Sequence, residues 1–264
     1  MNPVAIRTRL GHMISSRLST LLFLLLLALI FPRPVIAAGV WRVIPILLEF
    51  DQKTRSGVIT LYNEGETKVS LQINSMVWSQ DGAGKDQYQD DAELIFFPRL
   101  LTIEPGKSQV LRVGLQIPAT SVEKTYRLFI EEIPEPRKAD QGATIAIALR
   151  FGVPIYAAPL KSEARGEFVE AVLAKGTINT VIKNSGNVHF RIQTVQLVGK
   201  DASGAEVLRQ KLDGWYLLSG VSRPYVFTLK DEECRKAATL ELLVDTDRDD
   251  FSKVIRVDPQ ACTP

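Results

Sequence analysis

The residues that could carry out catalysis are few in this chain of 264 residues. Of its two histidines, His12 lies near the N-terminus and His189 lies in the segment GNVHF. A serine or cysteine nucleophile would need His189 as its base, but no GxSxG motif accompanies this imidazole. A histidine that packs or faces solvent is the simpler interpretation. We therefore predict that the chain is not an enzyme.

An acidic cluster near the C-terminus is the other candidate for chemistry. It comprises Asp245, Asp247, Asp249 and Asp250. Calcium is the ion that such carboxylates would bind, but the glycine and the distal glutamate of an EF-hand loop are missing. A solvated turn is the alternative that we favour. No phosphate-binding loop or dinucleotide motif occurs, so we predict no metal, no cofactor and no nucleotide.

The first 37 residues have the order of a secretory signal, with a basic segment, an apolar run and a cleavage site of small residues. Arginines precede the apolar run Leu21–Phe31, and Val35-Ile36-Ala37 follows it. This run is shorter than the roughly 20 residues that span a bilayer. We expect cleavage and export to the periplasm. An uncleaved anchor is the alternative, and either Met1 or Met13 could be the start.

Export changes how the charge and the cysteines are interpreted. The formal net charge of +2 becomes −2 once the four arginines of residues 1–37, which contain no acidic residue, are removed. We therefore expect no nucleic-acid partner. Cys234 and Cys262 are the only cysteines. An oxidising compartment favours a disulfide between them, worth about 3–4 kcal/mol. Two free buried thiols are the alternative.

The chain after the leader is a series of apolar segments separated by turns, with no persuasive helical period. Residues 38–159 contain about seven short strands, the number typical of an immunoglobulin-like sandwich. Pro98 interrupts one strand, as at an edge or a sheet crossing, and the polar residues 79–93 are predicted to form a loop. A charged linker, 160–167, precedes a second all-β region, 168–264. We predict an all-β chain with two immunoglobulin-like β-sandwich domains.

The most distinctive strand is predicted over Thr144–Pro159. Ordinary strands have about five or six residues, whereas this alternation could extend beyond a dozen. A polar stretch, 135–143, precedes it, so its first half could lie at a sheet edge and pair with another chain. A strand buried in its own sandwich is the alternative. The alternating apolar residues are Ile145, Ile147, Leu149, Phe151, Val153 and Ile155.

Five further segments are informative together: NEGE, PGKSQVLRVG (Pro105–Gly114), YRLFIEEIP (Tyr126–Pro134), IAIALRFGVPIY and NSGNVHF (Asn184–Phe190). Their order and spacing are more specific than any one segment. Together they resemble the periplasmic chaperones of the chaperone–usher pilus pathway, in a divergent or archaic branch.

The resemblance implies two immunoglobulin-like domains in an L or boomerang arrangement. It also implies that the last strand of the first domain is donated to a pilin subunit that lacks one, before delivery to an outer-membrane usher. The donated side chains would be Ile145, Ile147, Leu149 and Phe151. The free chaperone could self-associate to cover this strand. A cell-surface immunoglobulin-like adhesion or structural module is the alternative function.

The chain departs from the family at the site that holds the subunit's terminal carboxylate. The family uses an arginine on the first strand and a lysine on the last strand of domain one, and the matching positions here are Leu47 and Pro154. Arg42 and Arg150 are nearby candidates for this role, with ordinary solvated arginines as the alternative. Glu123 is a candidate for contacts between the domains, together with Asp245 or Asp247.

Overall fold

The computed structural model describes residues 41–134 and 147–262, and most of them lie in β-strands. The first half contains ten strands: β1 (Trp41–Ile44), β2 (Leu48–Phe50), β3 (Ser56–Asn63), β4 (Val69–Gln80), β5 (Asp86–Asp90), β6 (Leu94–Phe97), β7 (Leu100–Ile103), β8 (Ser108–Leu115), β9 (Lys124–Glu132) and β10 (Arg150–Ala157). The second half contains eight strands: β11 (Gly166–Ala174), β12 (Thr177–Asn184), β13 (Phe190–Lys200), β14 (Glu206–Asp213), β15 (Tyr216–Leu217), β16 (Ser222–Thr228), β17 (Thr239–Thr246) and β18 (Phe251–Arg256).

The first half is a sandwich of two sheets. One sheet has the order β1-β3-β8-β6, and the other has the order β2-β10-β9-β4-β5 with β7 also paired to β4. Every pairing is antiparallel except that of β2 with β10. Alternate side chains of both sheets meet between them, as the period of two in the sequence requires. Its core includes Ile59, Leu71, Leu111, Leu128 and Ile155, all fully buried.

Prolines mark two places where the chain passes from one sheet to the other. Pro98 separates β6, which pairs with β8, from β7, which pairs with β4, so of the two predicted alternatives, an edge or a sheet crossing, the structure shows the crossing. Pro45 likewise lies between β1, which belongs to one sheet, and β2, which belongs to the other. Proline lacks the N–H that a ladder needs, so it is suited to a position between two sheets.

The second half is another sandwich, with sheets ordered β11-β12-β16 and β14-β13-β17-β18 and with β15 paired to β13. A disulfide joins Cys234 and Cys262, consistent with the expectation from export. Cys234 lies in the helix α1 (Asp231–Lys236), and Cys262 lies in a 3₁₀ turn, Pro259–Cys262. The bond therefore fixes the end of the described chain to the core of this sandwich.

The prediction of an all-β chain with two sandwich domains is confirmed, but two local predictions are wrong. Residues 79–93 are not wholly a loop, because β5 pairs with the end of β4 from Met76 to Gln80. A six-residue helix, α1, is also present although no helical period was found. The first half ends its last strand at Ala157 and the second half begins at Gly166, while the exact domain limits stay a prediction. In residues 41–134 and 147–262, no helix combines the length and the apolar composition needed to cross a bilayer.

Candidate functional site

The start of strand β10 presents apolar side chains to solvent. Ile147, Leu149 and Phe151 are 78%, 46% and 38% exposed, whereas Val153 and Ile155 are completely buried. Successive alternate residues of a strand lie on one face. This face therefore leaves the core of its own sandwich between Val153 and Phe151. The fourth predicted residue, Ile145, lies outside the described residues.

The regular strand is shorter than the sequence alternation predicted. It begins at Arg150, and the main chain of Leu149 still accepts a hydrogen bond from Glu132 N–H at 2.9 Å. The neighbouring strand β9 ends at Glu132, and the N–H of Ile133 turns to Ser70 O at 2.8 Å. The following Pro134 has no N–H to donate. The ladder ends here because its partner strand leaves it.

One edge of β10 is open over part of its length. Along its whole length β10 pairs with β9, but β2 covers its other edge only at Ile155–Ala157. Across the described residues, Arg150–Pro154 therefore has one neighbouring strand. Among the strands that the structure describes, β1 is also an edge strand, paired with β3 alone. Unpaired N–H and C=O groups at such edges can bind an extended chain.

An apolar groove of about 440 Å³ lies between β1 and the start of β10. We call it the edge groove. Its walls combine predicted residues of β10 with side chains of the first strand that the sequence pattern did not single out. Its lining residues are Trp41, Arg42, Val43, Ile46, Glu64, Leu149, Arg150 and Phe151.

The two arginines proposed as carboxylate anchors both line the edge groove, and both have acidic partners. Arg42 Nε lies 2.8 Å from Glu64 Oε1. Arg150 Nε lies 3.7 Å from Glu131 Oε2, and its guanidinium lies 3.9 Å from the centre of the Phe129 ring. Both ion pairs are about half exposed, and such pairs contribute little to stability. A stronger anionic ligand could therefore replace either glutamate.

The positions that match the family's usual anchor lie elsewhere and carry no charge. Pro154 is buried in β10 opposite Arg127. Leu47 lines a second cleft of about 410 Å³, which we call the junction cleft because residues of both sandwiches line it. Arg191 and Arg248 of the second sandwich also line it, and no sequence motif had identified either. Both arginines are far from Leu47 in the sequence, and only the folded chain brings them to the same cleft.

His189 is a packing residue at the junction between the sandwiches. Its Nδ1 lies 2.7 Å from Glu123 Oε2, and its backbone N–H donates to the same oxygen at 2.9 Å. Its ring stacks on Tyr156 of β10, with 3.6 Å between the ring centres. Burial raises the pKa of the Tyr156 hydroxyl, which keeps it protonated. The His189 imidazole is therefore held between two side chains of the first sandwich.

The acidic cluster forms a turn with its own hydrogen bonds. Asp245 accepts hydrogen bonds from Thr194 and Gln196, which lower the pKa of its carboxyl group. Asp250 Oδ1 accepts the N–H of Thr246 at 2.7 Å. Asp247 lines the junction cleft, whereas the hydrogen bonds of Asp245 stay within the second sandwich. Within the part of the chain that the structure describes, no group of acidic, histidine or cysteine side chains could hold a metal ion.

The sequence of the first sandwich matches a known family model. Residues 42–162 match the PapD N-terminal domain, described as a pili and flagellar-assembly chaperone. The chain is also 23% identical over 133 residues to the probable fimbrial chaperone EcpE of Escherichia coli strain K12. That alignment covers 49% of this chain and 51% of EcpE, so the chain spans about half the length of the curated relative it matches.

Solved structures show the same two-domain fold. In the complex of the chaperone CsuC with the tip adhesion subunit CsuE, from archaic Csu pili of Acinetobacter baumannii, the matched chain gives a TM-score of 0.57 at 19% identity, covering 82% of this chain and 98% of that one. The complex of the SafA pilin with the SafB chaperone of Salmonella enterica gives 0.54 at 12% identity, covering 82% and 96%. The family model thus supports the resemblance found in the sequence over residues 42–162, and the solved structures show that the fold is shared.

Proposed function

We propose that this chain, whose residues 42–162 belong to the family of pili and flagellar-assembly chaperones, is a non-enzymatic periplasmic chaperone for pilin-like subunits. It would bind a subunit with an incomplete fold through the start of β10 and deliver it to an outer-membrane usher. The single observation that carries the proposal is the change along one strand face from buried Val153 to exposed Leu149.

Main-chain pairing would fix the register of the bound subunit. A subunit strand could pair with the open edge of β10 over Arg150–Pro154 and continue towards Ile147. This is strand addition, in which the main chain supplies hydrogen bonds and alternate side chains fill pockets. Ile147, Leu149 and Phe151 supply the exposed apolar side chains for those pockets, with Ile145 as the proposed next one.

The energy of this contact suits a complex that can later be exchanged. Full burial of a large apolar side chain stabilises by roughly 1.5–3 kcal/mol. Leu149 and Phe151 are already more than half buried, so each would add only part of this. Association also costs several kcal/mol. Release could therefore be driven by the subunit's next pairing, without a nucleotide.

The edge groove also offers a place for the subunit's terminal carboxylate. We propose that Arg42 or Arg150 binds it in place of Glu64 or Glu131, since the usual family positions are occupied by Leu47 and Pro154. A bidentate arginine–carboxylate pair is stronger than a single exposed contact. Arg42→Ala and Arg150→Ala would then weaken capture of the subunit without preventing it.

Co-purification tests the proposed function. The tagged chain would be co-expressed with a candidate pilin-like subunit, and the subunit recovered with it would be measured. Leu149→Asp should abolish recovery, because it places a charge in the subunit's apolar groove. The matched control is Val172→Asp, at a side chain 48% exposed in the second sandwich. Equal recovery with wild type and Leu149→Asp would refute the proposal.

A further inference from the structure

The junction between the two sandwiches contains a buried acid–histidine pair that the proposed function does not use. Glu123 lies just before β9 in the first sandwich, and His189 lies just before β13 in the second. Both side chains are 5% exposed, and 2.7 Å separates Glu123 Oε2 from His189 Nδ1. A histidine changes its charge between about pH 5 and 8. The contact therefore joins the two sandwiches through a pair of ionisable side chains.

We propose that Glu123 and His189 form a pH-sensitive clamp that tightens the junction when the imidazole becomes protonated. With a neutral imidazole, the Glu123 carboxylate is a buried charge that accepts two hydrogen bonds from His189. Protonation converts this contact into a buried ion pair with no net charge. Because the two partners belong to different sandwiches, the stronger contact opposes their separation.

The stacked tyrosine acts in the same direction. The rings of Tyr156 and His189 are nearly parallel, with an interplanar angle of 10° and 3.6 Å between centres. A cation over an aromatic face is attracted by the ring's negative charge distribution. Tyr156 belongs to β10, so a protonated imidazole would also hold the end of this strand more firmly. Both contacts of the protonated ring are with the first sandwich.

The other charged side chains that line the junction cleft are acidic and basic in equal number. None of them contacts the imidazole more closely than Glu123 does. Asp247 Oδ1 accepts the backbone N–H of Arg191 at 2.7 Å, and Arg248 lies 4.0 Å from Glu49. The Tyr216 ring lies 6.2 Å from the His189 ring and 5.3 Å from the guanidinium of Arg127. Glu123 is thus the carboxylate that responds directly to protonation of His189.

Hydrogen bonds of two backbone amides report on opening of this junction. The N–H of His189 donates to Glu123 Oε2, and the N–H of Glu123 donates to Asn187 O at 2.9 Å. Both bonds cross between the sandwiches, so both must break when the domains separate. Their hydrogen exchange, corrected for the intrinsic effect of pH, measures how often the junction opens.

The experiment is hydrogen exchange by NMR in the full chain carrying His12→Gln, which leaves His189 as the single imidazole. Protection of the Glu123 and His189 amides should be about fivefold greater at pH 5.5 than at pH 7.5, since a protonated imidazole adds a direct charge–charge attraction to hydrogen bonds that the carboxylate already accepts. These amide resonances should titrate together with the imidazole resonance. Amides of the β3–β8 pair should keep the same protection at both pH values.

Variants separate the clamp from a general effect of acid. His189→Gln keeps a hydrogen-bond donor but cannot become charged, and Glu123→Gln removes the negative partner, so both should lose the fivefold change. The control Glu241→Gln breaks an ion pair with Lys200 elsewhere in the second sandwich and should retain it. Equal protection at both pH values in the unsubstituted junction would overturn the clamp, even if His189→Gln did not fold. So would a fivefold change that persists in Glu123→Gln. The clamp does not depend on whether a pilin-like subunit binds β10.

Discussion

Phe151 and Val153 lie on the same face of one strand, yet Phe151 is 38% exposed and Val153 is completely buried. A single residue, Gly152, therefore lies between the part of β10 that completes its own sandwich and the part that is available to another chain. The strand keeps its pairing with β9 across this boundary, from Arg150 to Ala157. What changes is the cover on its face and on its other edge, where pairing with β2 begins only at Ile155. The same strand can therefore stabilise its domain and present a binding surface.

Substitutions on the two sides of this boundary should separate stability from binding. Val153→Ala should lower the free energy of unfolding by about 2 kcal/mol, because it leaves a cavity in the core. Ile147→Ala, at a side chain 78% exposed, should change it by less than about 0.5 kcal/mol but reduce subunit recovery. Urea unfolding followed by circular dichroism measures the first quantity and co-purification the second. Equal destabilisation by both changes would contradict the boundary.

The strand alternation could be predicted because it is local, whereas the other wall of the edge groove could not. Leu149 and Phe151 follow a period of two in the sequence, but Trp41 and Val43 come from a strand more than a hundred residues away. Only the sheet order brings these two edges together. The sequence contains no pairing signal of that range.

The elements that the sequence did not predict are polar segments whose structure depends on contacts with neighbouring elements. Strand β5, DQYQD, has almost no apolar alternation, and it is held by pairing with β4 and by an edge-to-face contact of Tyr88 with Phe129 at 5.2 Å. Helix α1 is too short to show a helical period, and the disulfide of Cys234 fixes its position. The partner of His189 could not be predicted either, because Glu123 lies 66 residues earlier in the chain.

Asp245 should make a pH-dependent contribution to stability. Hydrogen bonds from Thr194 and Gln196 lower the pKa of its carboxyl group below its ordinary value. A carboxyl whose pKa is lower in the folded state stabilises above its unfolded pKa of about 3.9 and loses this effect as the pH falls. Asp245→Asn should therefore cost about 1 kcal/mol near neutral pH, after allowance for its partial exposure.

The measurement for Asp245 is urea unfolding of both proteins between pH 2 and 7. The difference in unfolding free energy should shrink as the pH falls below about 4, because the wild-type carboxyl then also becomes neutral. Glu64→Gln is a suitable comparison, since its exposed pair with Arg42 should contribute less than about 1 kcal/mol. A difference for Asp245→Asn that stayed constant over this range would exclude the electrostatic explanation.

The disulfide should stabilise the second sandwich by limiting its unfolded chain. Cys234 and Cys262 are separated by 28 residues, and a loop of this length should contribute about 3–4 kcal/mol. The double substitution to alanine should lower the free energy of unfolding by about this amount. Urea unfolding with and without a reducing agent tests it, because reduction should affect the wild type and leave the double variant unchanged. If reduction destabilised both proteins equally, the bond would not be the cause.

The turn between β4 and β5 should depend on Gly84 for its contact with the second sandwich. Gly84 has a φ of +75°, and a Cβ placed on it would lie 3.2 Å from the Cβ of Arg223. The guanidinium of Arg223 also donates to Gly84 O at 3.2 Å. Gly84→Ala therefore combines an unfavourable backbone conformation with a close contact across the junction.

Two other glycines allow these effects to be separated. Gly106 has a φ of +67°, but among the described residues no atom lies within 4 Å of the position that a Cβ would take, so Gly106→Ala should cost only the backbone term of about 1 kcal/mol. Gly82 has neither feature, and Gly82→Ala should leave stability almost unchanged. Gly84→Ala should be the most destabilising of the three in urea unfolding, and it alone should increase hydrogen exchange of the Leu218 amide, which donates to Gln80 across the junction at 3.0 Å. If Gly84→Ala and Gly106→Ala cost the same and the Leu218 amide stayed protected, the turn would not help to hold the two sandwiches together.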